Sequence, residues 1–287
     1  MSLTLDYNVT SIDNHSLLGE FLTKQHFSRK AVIALKHRGG KIIVNNEEKT
    51  TRFKLTTGDK VTVIFANESV SNKLLPVRMK FLIIYEDEFL LVVDKVVGLP
   101  VIPTGSHDVG LANGILAYYQ EIGLGSTVHF VNRLDKDTSG LLIIAKHRHI
   151  HHLMTEQHGS IIRKYYALIS GVLVQGCKID APLYRPVLES IKRIVHSLGK
   201  QAVTNVEIVQ HFENQTLVSC TLETGRTHQI RVHMAHIGHP IIADPLYGTG
   251  KPNDQQMLHS YALEFVHPIT GVNLRFQTEV PKRFGIT

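Results

Sequence analysis

The chain has 287 residues, of which 43% are hydrophobic, and its formal net charge at pH 7 is +6. This is enough apolar material for one large folded domain and a small one, which argues against a disordered chain. No apolar run approaches the length of a membrane span, and the first residues lack a signal-peptide pattern, so we expect a cytoplasmic protein.

The two cysteines, Cys177 and Cys220, have no paired spacing. This argues for a reducing compartment and against both a disulfide framework and a thiolate zinc site. The positive charge is unevenly distributed, because residues 1–72 carry ten lysines and arginines against seven acidic residues. A polyanionic partner such as RNA would suit this excess.

The first part of the chain predicts two helices followed by a β-hairpin. Residues 15–27 have an amphipathic pattern, and Ser28 is a suitable N-cap for a second helix over residues 29–38. Two strands joined at Asn45-Asn46 follow. This order resembles the alpha-L RNA-binding module of ribosomal proteins and RNA-modifying enzymes; the alternative is a solvated basic surface. The resemblance predicts RNA contacts by five basic residues: Arg29, Lys30, Lys36, Arg38 and Lys41.

A polar stretch at residues 67–76 separates this module from the rest of the chain. It ends in a proline and has the composition of a linker. We therefore place a domain boundary near Asn72, with an alpha-L module over residues 1–72 and a second, larger domain over residues 73–287.

The most distinctive feature of the second domain is a polar loop at residues 132–140, between two apolar segments that read as strands. Polar loops on a rigid support are common positions for catalytic residues. Arg133 and Lys136 flank Asp135, and nearby cations favour the ionised form of a carboxylate. Asp135 is therefore the candidate for a permanently charged reacting group.

Five histidines follow the second strand, between residues 147 and 158. Their spacing matches no recognisable metal-ligand pattern, so a metal-dependent hydrolase is the weaker hypothesis, which full activity after chelation would exclude. We expect instead an exposed basic helix. The next predicted strand, residues 161–171, places Tyr165 and Tyr166 on opposite faces, so that one is in the core and the other can stack on a base.

Residues 223–238 form a second polar cluster, at a predicted strand–helix junction. Thr227 is a suitable N-cap, and Gly238 ends the helix. Arg226 therefore lies near the helix N-terminus, where anions are favoured. Three roles are open for Arg226: it contacts a phosphate, it pairs with a catalytic carboxylate, or it is an ordinary surface arginine.

Four stretches between about residue 81 and residue 265 together resemble the RluA-type RNA pseudouridine synthases. They are IIYEDEFLLVVDKVVGLPV, NRLDKDTSGLLIIAK, RKYYALISG and LETGRTHQIRVHMAHIGHPIIADPLYG. The resemblance implies that Asp135 is the catalytic aspartate, Tyr165 the active-site tyrosine and Arg226 the arginine paired with the aspartate. It also implies that Arg133 takes the place of the flipped base. The chain departs from the family at Asn132, where a histidine is usual, and at residues 94–99, which usually read Asn-Lys-Pro-Ala-Gly-Leu.

The sequence thus predicts an α+β protein, in which a small alpha-L RNA-binding module precedes a pseudouridine synthase domain with a large mixed, mostly antiparallel sheet. The resemblance implies an isomerase that converts uridines of structured RNA, ribosomal or transfer RNA, into pseudouridine. We expect no metal, no cofactor, no nucleotide, no membrane partner and a monomeric state. The alternative is a catalytically idle RNA-binding protein on the same fold, which the presence of Asp135, Tyr165 and Arg226 disfavours.

Overall fold

A computed structural model describes residues 3–37, 39–68, 74–103, 109–187, 189–251 and 254–286. The helices within these segments are α1 (Leu18–Lys24), α2 (Arg29–His37), α3 (Leu111–Glu121), α4 (Arg148–Glu156) and α5 (Gln229–His236). The first eight strands are β1 (Thr4–Asn8), β2 (Lys41–Val44), β3 (Glu47–Glu48), β4 (Lys60–Ile64), β5 (Leu82–Glu86), β6 (Leu90–Lys95), β7 (His129–Phe130) and β8 (Ser139–Ala145). The remaining eight are β9 (Ile162–Ser170), β10 (Cys177–Asp180), β11 (Leu183–Tyr184), β12 (Ile194–Val195), β13 (Val203–His211), β14 (Gln215–Leu222), β15 (Leu258–Val266) and β16 (Asn273–Gln277). Across these segments no helix has the length and apolar character needed to cross a membrane.

The N-terminal residues form an antiparallel sheet with the strand order β1-β4-β2-β3. Leu18, Phe21 and Leu22 of α1 are buried beneath it. The two predicted helices and the hairpin are confirmed. The sequence did not predict β1, because this short strand pairs with β4, more than fifty residues away, and has few apolar positions to mark it.

Among the described residues, the large sheet has ten strands, with β10-β13-β14-β9-β15-β8-β6-β5 as its main path. β16 pairs with β15, and β7 pairs with β8. Every pairing is antiparallel except that between β15 and β8. The predicted α+β class with a large, mostly antiparallel mixed sheet is therefore confirmed.

Both faces of β8 are buried, which explains why it reads as a continuous apolar run rather than an alternating one. Leu141 and Ile143 join an apolar cluster that extends into the N-terminal sheet. Leu142 and Ile144 face the opposite way and pack in the cluster that includes apolar residues of α3 and α5. The two sheets therefore share one continuous layer of core.

Helix α4 packs against the N-terminal residues and does not present all its histidines to solvent. His149 is 4% exposed, and its ring stacks on Phe27 at 4.3 Å and on Phe65 at 5.2 Å between centroids. Burial lowers the pKa of His149 to about 3, so this ring is neutral at pH 7. The prediction of an exposed basic helix is wrong here, because the aromatic partners come from a distant segment that the local pattern does not reveal.

Glu68 ties the N-terminal residues to the start of the same helix. Its side chain accepts the backbone N–H of Arg148 at 2.8 Å and lies 2.6 Å from Nε2 of His129. Burial raises the pKa of Glu68, but these contacts outweigh burial and lower it to about 2. The predicted domain boundary near Asn72 lies outside the described residues.

Candidate active site

Strand pairing across the large sheet brings the end of the polar loop close to Tyr165. Gly140, at the end of the loop, is paired with Ser260 of β15, and Ser260 is paired with Tyr165 of β9. Gly140 has a φ of +111°, and a Cβ atom there would lie 2.2 Å from the carbonyl oxygen of Ser260. Only glycine allows this close approach, which brings the loop and the tyrosine together.

The loop is held by its own Asn132 and by side chains from three other segments. Asn132 is buried and accepts the backbone N–H of Ile143 at 2.8 Å, so the residue that replaces the family histidine closes the base of the loop. The other bonds to the loop are Lys95 Nζ to the Lys136 carbonyl (2.8 Å), Gln256 Nε2 to Thr138 Oγ1 (2.6 Å) and Arg283 Nη2 to Ser139 Oγ (2.9 Å). The position of Asp135 is thus fixed by its surroundings.

Asp135 forms an ion pair with Arg231 of helix α5, within the second polar cluster. Nη1 of Arg231 donates to Oδ2 of Asp135 at 2.9 Å. The same guanidinium makes two bonds to Asp244, from Nε at 2.7 Å and from Nη2 at 2.8 Å. The Asp244 side chain is fully buried. Its carboxylate therefore orients Arg231 so that one edge of the guanidinium is presented to Asp135.

This arrangement corrects the prediction that Arg226 pairs with the aspartate. Arg226 is exposed, and its Nε donates to the carbonyl of Gln201 at 2.9 Å. The helix begins later than predicted, at Gln229, with His228 rather than Thr227 as its N-cap. Arg226 therefore lies on the turn before the helix, whereas Arg231 lies within the helix and is directed at Asp135.

Tyr165 is 6% exposed and lies in the core cluster on the loop side of the sheet. Burial raises the pKa of its phenol, and a contact with the Ser260 hydroxyl opposes this shift. Tyr166 faces the opposite side, where its ring stacks on Tyr261 at 3.8 Å. The predicted division of the two tyrosines between opposite faces is confirmed, and Tyr165 is the one near Asp135.

Two further residues of the site, His228 and Tyr247, were not predicted. Nε2 of His228 lies 3.8 Å from Oδ2 of Asp135, and Nδ1 of the same ring is 2.8 Å from the hydroxyl of Tyr247. The Tyr247 ring also packs under the guanidinium of Arg231, at 5.1 Å. His228 belongs to the GRTHQIRVHM stretch of the second polar cluster. Its ring is held by Tyr247, which comes from a later loop, so the sequence around His228 does not reveal this contact.

The predicted RNA-binding residues that the structure describes are exposed. Arg133 is two residues before Asp135 in the polar loop. Arg29, Lys30 and Lys41 are exposed on the N-terminal residues. The side chain of Lys36 and all of Arg38 lie outside the described residues. Within the segments that the structure describes, no group of three histidine, cysteine or acidic side chains is placed to hold a metal ion.

Asp135, Tyr165, His228 and Arg231 fall within a stretch that matches a known family. Residues 89–236 match the family model described as RNA pseudouridylate synthase. The chain is 40% identical over 268 residues to a Bacillus subtilis protein named uncharacterized RNA pseudouridine synthase YjbO, which covers 92% of this chain and 95% of that relative. It is 37% identical over 240 residues to ribosomal large subunit pseudouridine synthase D of Pseudomonas aeruginosa, covering 77% and 75%.

Among solved structures, the human protein named RNA pseudouridylate synthase domain containing 1 superposes with a TM-score of 0.58. The match covers 74% of this chain and 86% of the human chain, at 22% sequence identity. This likeness supports the fold.

Proposed function

Because the chain belongs to the RNA pseudouridylate synthase family, we propose that Asp135 is the carboxylate with which it isomerises uridine. The chain is an RNA-modifying isomerase, as the resemblance drawn from its sequence implied. The observation that supports the role of Asp135 is its position: an aspartate on a firmly held loop, paired with a buried arginine and in electrostatic interaction with Tyr165.

The reaction breaks the bond between ribose C1′ and uracil N1, turns the base and rejoins it to the ribose through C5. We propose that Asp135 acts as nucleophile or base in the first step. Arg231 holds the carboxylate in place through a charge-assisted hydrogen bond. Tyr165 stacks on the uracil and assists proton movement at C5, as a neutral phenol because burial raises its pKa.

The uridine must leave its stack to reach Asp135, which costs a few kcal/mol. We propose that Arg133 offsets part of this cost by occupying the space that the base leaves. Its exposed position beside Asp135 allows the side chain to reach the duplex while the carboxylate contacts the extruded nucleotide.

We propose that the substrate is ribosomal RNA of the large subunit, since several relatives at 34–38% identity are named ribosomal large subunit pseudouridine synthase D. We also propose that the enzyme works in the cytoplasm and is a monomer. When the full chain is incubated with large-subunit ribosomal RNA and with total transfer RNA, chemical mapping should find pseudouridine in the ribosomal RNA alone. Modification of transfer RNA alone would contradict the proposed substrate, and tight RNA binding without turnover would favour the idle RNA-binding protein.

We further propose that residues 1–72 form an RNA-binding module of the alpha-L type, ahead of a catalytic domain over residues 73–287. The helix–helix–hairpin order supports this proposal, as do the exposed positions of Arg29, Lys30 and Lys41. Because the N-terminal sheet shares a core with the large sheet, its deletion would expose apolar surface. Surface substitutions are therefore the better test.

Changing Arg29, Lys30 and Lys41 together to glutamine should reduce the salt dependence of RNA binding. Each lost phosphate contact lowers the slope of log K against log salt concentration by about 0.7 to 0.9, so we expect a slope shallower by about 2. Fluorescence anisotropy with a labelled substrate RNA measures this slope. The matched control neutralises three exposed cations elsewhere: Lys178, Lys251 and Arg275. Equal slopes for the two triple variants would contradict a specific role for the N-terminal residues.

A further inference from the structure

His228 occupies a backbone conformation that favours glycine. Its φ is 58° and its ψ is 20°, in the left-handed region, immediately before the first residue of α5. A non-glycine residue is held in this region only where its surroundings require it, and such positions are concentrated at functional sites. Here the conformation places the imidazole beside Asp135, with its side chain 14% exposed.

The hydrogen bonds of Tyr247 select the tautomer of this imidazole. The Tyr247 hydroxyl accepts the backbone N–H of Arg193 at 2.7 Å, so its own proton is available to Nδ1 of His228, 2.8 Å away. A neutral imidazole that accepts at Nδ1 carries its proton on Nε2. The Nε2–H group then points towards Asp135.

Burial is the main reason that His228 favours its neutral form. Burial lowers the pKa of His228, and the nearby guanidinium groups of Arg231 and Arg193 lower it further, against the carboxylates of Asp135 and Asp244. The 3.8 Å between Nε2 and Oδ2 of Asp135 is too long for a hydrogen bond. The donor is therefore available to a substrate atom that lies against the carboxylate.

We propose that His228 is a catalytic residue whose Nε2–H donates a hydrogen bond to a carbonyl oxygen of the departing uracil. When the C1′–N1 bond breaks, its electron pair moves to the uracil ring and is shared by the carbonyl oxygens. A donor held beside the Asp135 carboxylate is well placed to stabilise this charge. His228 keeps its proton throughout, so no further reactant is needed. The inference rests on the proposed role of Asp135.

His228→Asn is the direct test, because asparagine tolerates the left-handed backbone but its shorter side chain cannot place a donor at the Nε2 position. We expect kcat for pseudouridine formation to fall about 10²-fold, with the RNA dissociation constant within about twofold of the wild-type value. His228→Gly keeps the backbone conformation without any side chain and should be equally slow. His228→Gln places an amide N–H near the Nε2 position and should recover roughly tenfold of the loss.

Thermal unfolding of the full-length variants, with the wild type as reference, checks that each one is folded. A His228→Asn variant within about threefold of the wild-type kcat would overturn the proposal. So would glutamine and asparagine variants that are equally slow, since this would indicate a purely structural histidine. Absence of turnover by the wild type would count against the role of Asp135 instead, which separates the two failures.

Discussion

Asp135→Asn is expected to lower the rate of pseudouridine formation by more than about 10⁴-fold while leaving RNA affinity within about twofold. The amide has the volume of the carboxylate and its oxygen can still accept the bond from Arg231, so the loop should keep its position. It lacks the negative charge and the basicity that the reaction at the ribose or the base requires. Single-turnover assays with excess enzyme measure the chemical step apart from product release.

Asp137→Asn is the matched control, since it makes the same change two residues further along the same loop. Asp137 is partly exposed and interacts electrostatically with Lys95 and Arg283 rather than with Arg231. We expect its rate to stay within about tenfold of the wild-type value. An Asp135→Asn variant that keeps more than roughly 1% of the wild-type rate would remove Asp135 from its proposed role.

Arg231→Gln is expected to destabilise the protein by about 3 to 5 kcal/mol, in addition to impairing turnover. The substitution leaves the carboxylate of Asp244 without its guanidinium partner in a site with no exposed side-chain surface. Removal of one member of a buried ion pair leaves an uncompensated charge, which costs more than the pair itself contributes. The free energy of unfolding from urea titrations, with an unchanged m-value, measures this loss.

Arg226→Gln makes the same chemical change in the same motif and is the matched control. Because Arg226 is exposed and bonded to one backbone carbonyl, we expect its stability to change by no more than about 0.5 kcal/mol. The double variant Arg231→Gln/Asp244→Asn should be more stable than Arg231→Gln alone, since the buried charge is then removed. Equal losses for the two arginine variants would contradict the ion pair seen in the structure.

The strands and the polar loop could be predicted because they depend on local patterns. β8 is buried on both faces and reads as one apolar run, and the polar loop before it is therefore sharply bounded. The alternation along β9 likewise separates Tyr165 from Tyr166. These features follow from periodicities that a single segment contains.

The partner of Asp135 could not be predicted in the same way. Arg226 and Arg231 stand five residues apart in one motif, and a favourable helix N-terminus made the first the better candidate. What decides between them is Asp244, a buried carboxylate from a later loop that orients Arg231. A contact that depends on the tertiary fold leaves no local signal in either segment.

Asn132 illustrates a third case, in which the sequence identified the position but not its role. The sequence marks this position only as a departure from the histidine that is usual in the family. In the structure the side chain is buried and accepts a hydrogen bond from the backbone N–H of Ile143 in β8. Asn132 therefore anchors the start of the loop to this strand. A side chain-to-backbone bond of this kind cannot be inferred from residue type, because asparagine bonds backbone groups in many loop geometries.

The most direct test of the account is a transcriptome-wide pseudouridine map in cells that lack this gene, complemented with either the wild-type chain or Asp135→Asn. The account predicts that one or more pseudouridines are absent without the gene, return with the wild type and stay absent with Asp135→Asn at equal protein level. Full restoration by Asp135→Asn would contradict the central claim that this carboxylate carries out the isomerisation.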